Sequence, residues 1–235
     1  MTQPTTVRRK DRTIGVVYLL YFVTAIFSLL FLKGVAVPGN MAATAHNFLS
    51  HEPAFRSSFA FNLVATAFYI ALTALFYSLF EPVNKVISLL AAFFSLMGCA
   101  IQTVGSLFQL APFVIIGVNA SPDTFNANQL QTLSLMLLKF QTQAFNIGLI
   151  FFAFYCLLIG YLILRSTLLP RFLGVLMLAA GLGWLTFLVP PFAAQLSRYT
   201  QILGFFAEVS LMLWLLIMGV DAQQLKERGN VAAAV

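Results

Sequence analysis

Glu208 lies in the middle of an apolar run, residues 199–220, that is long enough to cross a membrane as a helix. A charged side chain at that depth costs about 2.5–3.5 kcal/mol on insertion scales. We therefore expect its carboxyl to face other helices and to be paired, hydrogen-bonded or protonated. Two interpretations stay open. The carboxyl carries a proton or binds a cation, or it is a neutral group that hydrogen-bonds between helices.

Four other predicted helices carry polar side chains whose spacing puts them on one helical face. The stripes are Tyr21, Thr24 and Ser28; Ser58, Asn62, Thr66, Tyr69, Thr73 and Tyr77; Ser95, Gln102, Ser106 and Gln109; and Thr132, Lys139, Gln143 and Asn146. Four helices that each hide a polar face predict a polar pocket between them, open toward the outer side. Helix packing is the alternative, because Ser, Thr and Gly also mediate close helix contacts, but it explains the amide side chains less well.

The candidate ligand-binding residues of this pocket combine the acid with the larger polar side chains. They are Glu208, Asn62, Gln102, Gln109, Gln143, Asn146 and Tyr69. We expect the Glu208 carboxyl to point toward Asn62 and Gln102, because their stripes offer the nearest hydrogen-bonding groups.

No catalytic residue, metal site or cofactor is predicted. His46 and His51 are five residues apart, unlike the i, i+4 pair of a helical zinc site. The sequence contains no G-x-S-x-G elbow, no Walker A motif and no dinucleotide-binding fingerprint.

Six long apolar runs must position these residues. They cover about residues 14–32, 58–80, 86–112, 143–164, 171–189 and 199–220. A helix needs about 20 residues to cross a hydrocarbon core, and backbone groups in lipid must be hydrogen-bonded within the protein. The predicted class is all-α, a polytopic membrane helix bundle with six transmembrane helices. Six spans and their loops leave no room for a soluble domain, so residues 1–235 are predicted to form a single transmembrane domain.

The distribution of charge predicts the orientation. Charged residues make up only 9% of the chain, against about a quarter in soluble proteins. Nine of the 13 Lys and Arg residues flank the spans on one side and four lie on the other. Cytoplasmic segments carry such an excess, so we expect both termini to be cytoplasmic. The net charge of +6 is then explained by orientation and by contact with anionic membrane lipids, and no nucleic-acid partner is expected.

Proline and polar residues predict where helices begin and end. Residues 40–52 are predicted to form a short helix in the outer interface, with one polar face, that Pro53 ends. A helical pattern without a breaker runs from Gln129 to Leu164, which is too long for one perpendicular crossing. Pro190 and Pro191 are predicted to break the chain before the last span.

Long stretches of the chain resemble a large bacterial family of multi-pass membrane proteins, the four-three-eight-six domain of unknown function. These stretches are AVPGNMAATAHN, EPVNKVISLLAAFFSLMGCAIQ, FNIGLIFFAFYCLLIGYLILRSTLLPRFLGVLMLAAGLGWLTFL and SLMLWLLIMGV. The resemblance implies a membrane fold and a location in the bacterial inner membrane. It implies no established activity and no catalytic residue. Many members carry Arg at the position of Ser95 and His at the position of Gln141, so a polar site built from them in relatives would be altered here.

Three functions remain open from the sequence. The leading hypothesis is a non-enzymatic membrane protein that senses or transports a small apolar, amphipathic or lipid-like molecule bound between its helices. The second is a membrane-embedded enzyme acting on a lipid or isoprenoid. Such an enzyme usually needs several acidic or His residues at one depth, whereas the spans contain one acid. The third is a scaffold or partner subunit of a membrane complex, in which small residues would mediate oligomerisation.

Overall fold

The computed structural model describes residues 10–31, 51–117 and 126–221 of the chain. The helices are α1 (Thr13–Phe31), α2 (Glu52–Phe80), α3 (Lys85–Gly117), α4 (Ala127–Arg165), α5 (Arg171–Trp184) and α6 (Pro190–Ile217). A 3-10 helix, Leu185–Leu188, follows α5. Two short strands, β1 (Lys10–Asp11) and β2 (Val220–Asp221), flank the first and last helices.

The predicted all-α architecture with six membrane-spanning segments is confirmed. Six helical segments of the described chain are long and apolar enough to cross a membrane: Thr13–Phe31, Glu52–Phe80, Lys85–Leu110, Thr132–Arg165, Arg171–Leu188 and Pro190–Ile217. The unbroken pattern from Gln129 to Leu164 is also confirmed, because one helix covers it. The interfacial helix predicted at residues 40–52 lies outside the described residues up to residue 50. The single-domain prediction stays a prediction.

Two helix starts were predicted too late, and each has a proline in its first turn. Pro53 was predicted to end a helix, but it is the second residue of α2, which begins at Glu52. Pro190 and Pro191 were predicted to break the chain before the last span. The chain does break at Val189, which is extended, but α6 begins at Pro190 and not near residue 199. Proline is compatible with these positions, because the first N–H groups of a helix have no partner within the helix.

The described residues divide into two compact units. Unit 1 contains residues 10–19, 70–96 and 149–221, and unit 2 contains residues 20–31, 51–69, 97–117 and 126–148. Helices α1 to α4 each contribute residues to both units, whereas α5 and α6 belong to unit 1.

In unit 1, glycines allow α4 and α5 to pack closely. A Cβ added at Gly160 would lie 2.8 Å from the Gly174 carbonyl oxygen, and one at Gly174 would lie 2.9 Å from the Gly160 oxygen. Large side chains fill the remaining core, where Tyr18 of α1 packs edge-on against Phe76 of α2 with 6.0 Å between ring centroids.

The ends of α1 and α6 are also joined in unit 1. Strands β1 and β2 pair antiparallel, with Lys10 opposite Asp221 and Asp11 opposite Val220. Next to this pairing, Gly15 of α1 lies against the backbone of Leu216 of α6. Residues 10–11 before the first helix and residues 220–221 after the last one therefore lie side by side.

In unit 2, aromatic rings and small residues hold the helices together. The Phe27 and Phe31 rings of α1 each stack on Phe61 of α2, at 5.6 Å between centroids. A Cβ added at Gly105 of α3 would lie 2.6 Å from the Ala144 Cβ of α4. These contacts join α1 to α2 and α3 to α4.

Candidate functional site

A chain of hydrogen bonds joins α1, α2, α3 and α4 in unit 2. Gln141 of α4 donates its Nε2–H to Gln109 Oε1 of α3 at 3.3 Å, and Gln109 Nε2 donates to Ser58 Oγ of α2 at 3.3 Å. The Ser58 hydroxyl lies 3.1 Å from the Ser28 hydroxyl of α1, which donates to the Ser58 carbonyl oxygen at 2.9 Å. We call these four residues, Ser28, Ser58, Gln109 and Gln141, the polar layer.

Three residues of the polar layer, Ser28, Ser58 and Gln109, are buried, and Gln141 is half-buried. Ser58 is 0% exposed and Gln109 is 3% exposed, so neither side chain has water to replace a lost partner. The two amide hydrogen bonds point from α4 toward α2, whereas the Ser28 hydroxyl of α1 donates back to the Ser58 carbonyl oxygen. The layer therefore fixes the orientation of the Gln109 side chain and places four helices in one register.

The polar stripes predicted on α1, α2 and α3 face the interior. Every stripe residue on these helices is buried or half-buried, and Ser28, Ser58, Tyr69, Thr73, Ser95, Ser106 and Gln109 are buried. In unit 1, the two stripes on α2 and α3 meet directly, because the Thr73 and Ser95 hydroxyls lie 2.6 Å apart.

The stripe predicted on α4 does not face the interior. Thr132, Lys139 and Gln143 are exposed and only Asn146 is half-buried. The inward face of α4 instead repeats every seven residues, with Ser134, Gly148, Tyr155 and Leu162 buried and Gln141 half-buried. The prediction of a hidden polar face was therefore wrong for this helix, because regular spacing shows that residues share a face but does not show which face is inside.

Gln141 is the one residue of the polar layer that belonged neither to the predicted stripes nor to the predicted ligand-binding set. Gly148 could have indicated this residue from the sequence. A glycine inside an apolar helix marks a close contact with a neighbouring helix, and Gln141 lies two helical turns before it on the same face. The Gln141 side-chain N–H is donated to Gln109.

Two predicted ligand-binding residues lie close to the polar layer, and their side-chain amides have no hydrogen-bond partner among the described residues. The amides of Asn62 on α2 and Gln102 on α3 are half-buried, and no side-chain hydrogen bond is made by either. The Gln102 side chain lies across Gly148 of α4, since a Cβ there would be 2.6 Å from Gln102 Cγ and 3.0 Å from its Nε2.

The antiparallel arrangement puts both amides on the same side of the polar layer. Gln109 lies beside Gln141 and Gln102 beside Gly148, so α3 and α4 run antiparallel. Helices α2 and α3, joined by the turn at residues 81–84, also run antiparallel. Asn62 is four residues from Ser58, about 6 Å along the axis, and Gln102 is seven residues from Gln109, about 10 Å along it.

The other predicted residues of unit 2 differ in their surroundings. Tyr69 is buried and its ring packs edge-on against Tyr21 of α1, with 4.8 Å between centroids. Asn146 is half-buried and Gln143 is exposed. The structure thus brings Gln109 into the polar layer and puts Asn62 and Gln102 beside it, whereas Gln143 lies on the outer face of α4.

Glu208 lies in unit 1 and faces the interior as predicted, since it is only 7% exposed. Its carboxyl accepts a hydrogen bond from the Tyr18 hydroxyl of α1. Cys156 of α4 is close enough to interact electrostatically with that carboxyl. The sequence did not predict Tyr18 as a partner, because a single Tyr in an apolar run is indistinguishable from a core aromatic.

Within the described ranges, no group of three or more His, Cys, Asp or Glu side chains is placed to hold a metal ion. The polar groups at these positions are amides and hydroxyls in unit 2, and the Glu208 carboxyl with the Tyr18 hydroxyl in unit 1.

Fold and site together define a multi-pass helical membrane protein with polar groups buried between its helices. The chain belongs to the family described as Domain of unknown function (DUF4386), which matches residues 13–219. It is 27% identical over 151 residues to an uncharacterized protein of Archaeoglobus fulgidus, a match that covers 61% of this chain and 72% of that protein. No solved structure matches the chain.

Proposed function

We propose that unit 2 binds a small amphipathic molecule with an uncharged polar head, as the recognition step in sensing or transporting that molecule. The observation that carries the proposal is the pair of half-buried amides, Asn62 and Gln102, that make no hydrogen bond within the described chain. Both stand in membrane-spanning helices beside the polar layer.

The energetic argument is that amides in hydrocarbon need partners. An amide transferred from water to an apolar medium without a hydrogen bond costs on the order of several kcal/mol. Each amide offers two N–H donors and one carbonyl acceptor. A ligand head with hydroxyl, ester or amide groups satisfies both kinds of group, and its apolar tail suits the surrounding lipid-facing helices.

The charges of unit 2 favour an uncharged head. Glu52 and Arg56 pair with each other, with 2.7 Å between Glu52 Oε1 and an Arg56 guanidinium nitrogen. Lys139 is exposed on α4. The polar layer itself consists of amides and hydroxyls, so a charged head would lose its hydration without gaining an opposite charge from these four residues.

The proposal places the protein in the bacterial inner membrane with both termini in the cytoplasm. The antiparallel pairing of β1 with β2 supports a common side for the two flanks. Exposed Arg12, Lys85, Arg165 and Arg171 lie at the ends of helices in unit 1, and this excess of positive charge is typical of cytoplasmic ends.

A thermal unfolding series with lipids of different head chemistry tests the proposal. Purified protein in a zwitterionic detergent is heated with monoolein, oleic acid or oleylamine, which share one tail and differ in head charge. A ligand at 100 times its dissociation constant adds about 2.7 kcal/mol to stability, which corresponds to a midpoint rise of about 5–10 °C for a chain of this size. We expect that rise with monoolein alone.

Matched variants locate the effect. Gln102→Leu and Asn62→Leu should remove the monoolein response, because they remove the amides that bind the head. Gln195→Leu is the control, since it makes the same chemical change at an exposed position of α6. Equal responses to all three lipids, or a full response in both leucine variants, would contradict the proposal.

A further inference from the structure

Trp184, the last residue of α5, has a buried indole N–H that lacks a partner. The side chain is 7% exposed, and its Nε1 makes no hydrogen bond to any part of the chain that the structure describes. Buried donors of this kind are rare, because the group has lost its bonds to water and gained none in return. The indole N–H therefore needs an acceptor that the described chain does not supply in this conformation.

Gly204 of α6 determines where the indole lies. A Cβ added at that position would be 2.7 Å from Trp184 Cε2 and 2.9 Å from Nε1. The ring edge that carries the N–H thus lies against α6 at the one residue without a side chain. Any larger residue at position 204 would displace the indole.

Glu208 lies one helical turn from this contact. Residues 204 and 208 of α6 are separated by about 6 Å along the axis and share a face. Side chains on a helix lean toward its N-terminus, so the Glu208 carboxyl leans toward the turn that contains Gly204. The carboxyl already accepts a hydrogen bond from Tyr18, and Trp184 brings a second donor to its neighbourhood.

The backbone beside the indole changes its helix type at this point. The α-helix ends at Trp184 and continues as the 3-10 helix Leu185–Leu188. None of those four residues is buried, and a 3-10 stretch within a spanning segment often marks a hinge. The four residues that directly follow Trp184 therefore contribute no buried side chain to the core.

We infer that Trp184, Glu208 and Tyr18 form an occluded site for one hydroxyl group, entered by displacement of residues 185–188. The oxygen of the bound hydroxyl accepts a hydrogen bond from the Trp184 indole N–H. The hydrogen of the same hydroxyl is donated to the Glu208 carboxyl. The hydroxyl comes from an amphipathic alcohol or from water. This site lies in unit 1 and is separate from the proposed head-group site of unit 2.

Nuclear magnetic resonance of the two tryptophan indole groups tests the inference on the full chain in detergent. The chain contains two Trp residues, and Trp214→Phe assigns their N–H signals. We expect a nuclear Overhauser cross-peak from the Trp184 N–H to octanol, the added probe, or to water. A cross-peak to octanol assigns the hydroxyl to a ligand alcohol, and a cross-peak to water alone assigns it to a bound water. A Trp184 signal with neither cross-peak overturns the inference.

Variants at position 208 supply the second readout. Glu208→Leu should lose the Trp184 cross-peak, because the hydroxyl loses its acceptor, and Glu208→Gln should keep it, because the amide oxygen still accepts. A cross-peak that survives in Glu208→Leu contradicts the role of Glu208. The Trp214 signal reports whether each variant is folded. If the leucine variant does not fold, the Trp184 cross-peak of the parent protein still decides whether a hydroxyl group is bound there.

Discussion

Gln109 on α3 donates a hydrogen bond to the hydroxyl of Ser58 on α2, and the two atoms lie 3.3 Å apart although 51 residues separate them in the chain. Both residues are almost completely buried. Ser58 also bonds to Ser28 of α1, so one small hydroxyl connects three helices. This relationship makes Ser58 the most sensitive position of the polar layer.

Ser58→Ala should destabilise the protein by about 1–2 kcal/mol, because it leaves the Gln109 amide without its acceptor in a buried place. Thermal unfolding in detergent measures the change. Ser78→Ala is the matched control on the same helix, since Ser78 is exposed and bonds only to the Ala74 carbonyl oxygen. An equal midpoint in both variants would show that the polar layer contributes no stability.

Gly160→Ala should destabilise by about 1–3 kcal/mol, because the new methyl group meets the backbone of α5 and forces the helices apart. Gly183→Ala provides the comparison, since its Cβ would meet Thr200 Cβ at an ordinary 3.4 Å. That second change should be neutral or stabilise by up to about 1 kcal/mol, because alanine favours the helix. Similar losses in the two variants would show that the close approach of Gly160 and Gly174 is unimportant.

Glu208→Gln should retain the stability of the parent, because an amide oxygen still accepts the hydrogen bond from Tyr18. Glu208→Ala should lose about 1–3 kcal/mol, since it leaves the Tyr18 hydroxyl buried without that acceptor. Thermal midpoints of the two variants in one detergent provide the measurement. An alanine variant as stable as the parent would mean that the carboxyl has no structural role.

Cysteine labelling tests the proposed orientation. A membrane-impermeant maleimide added to intact cells should label Gln195→Cys at the start of α6 and should not label Asn84→Cys in the turn between α2 and α3. Both positions are exposed, and the native Cys99 and Cys156 are buried, so the background is low. Labelling of Asn84→Cys but not Gln195→Cys would reverse the orientation.

The spans could be predicted because length and apolarity are local properties of the sequence. The starts of α2 and α6 were missed because proline was interpreted as a breaker, whereas Pro53 and Pro190 stand in first turns, where proline is tolerated. Whether a proline ends one helix or begins the next depends on the backbone conformation of the residues before it, which the proline itself does not reveal.

The candidate site was predicted only in part, because spacing gives a shared face and not its direction. The stripes of α1 to α3 do face inward, but on α4 the inward face carries Gln141 and Gly148 in place of Gln143. The partners Tyr18 and Trp184 were missed for a different reason. Aromatic residues in apolar helices are usually core residues, and only the three-dimensional structure shows where their polar atoms lie.

Native mass spectrometry of the protein with bound monoolein tests the central claim most directly. The parent protein and Gln195→Leu should each retain one monoolein molecule after release from detergent micelles. The double variant Asn62→Leu, Gln102→Leu should retain none, because both amides that bind the uncharged head are gone. Equal retention in the parent and the double variant would contradict the claim that these two amides form the binding site.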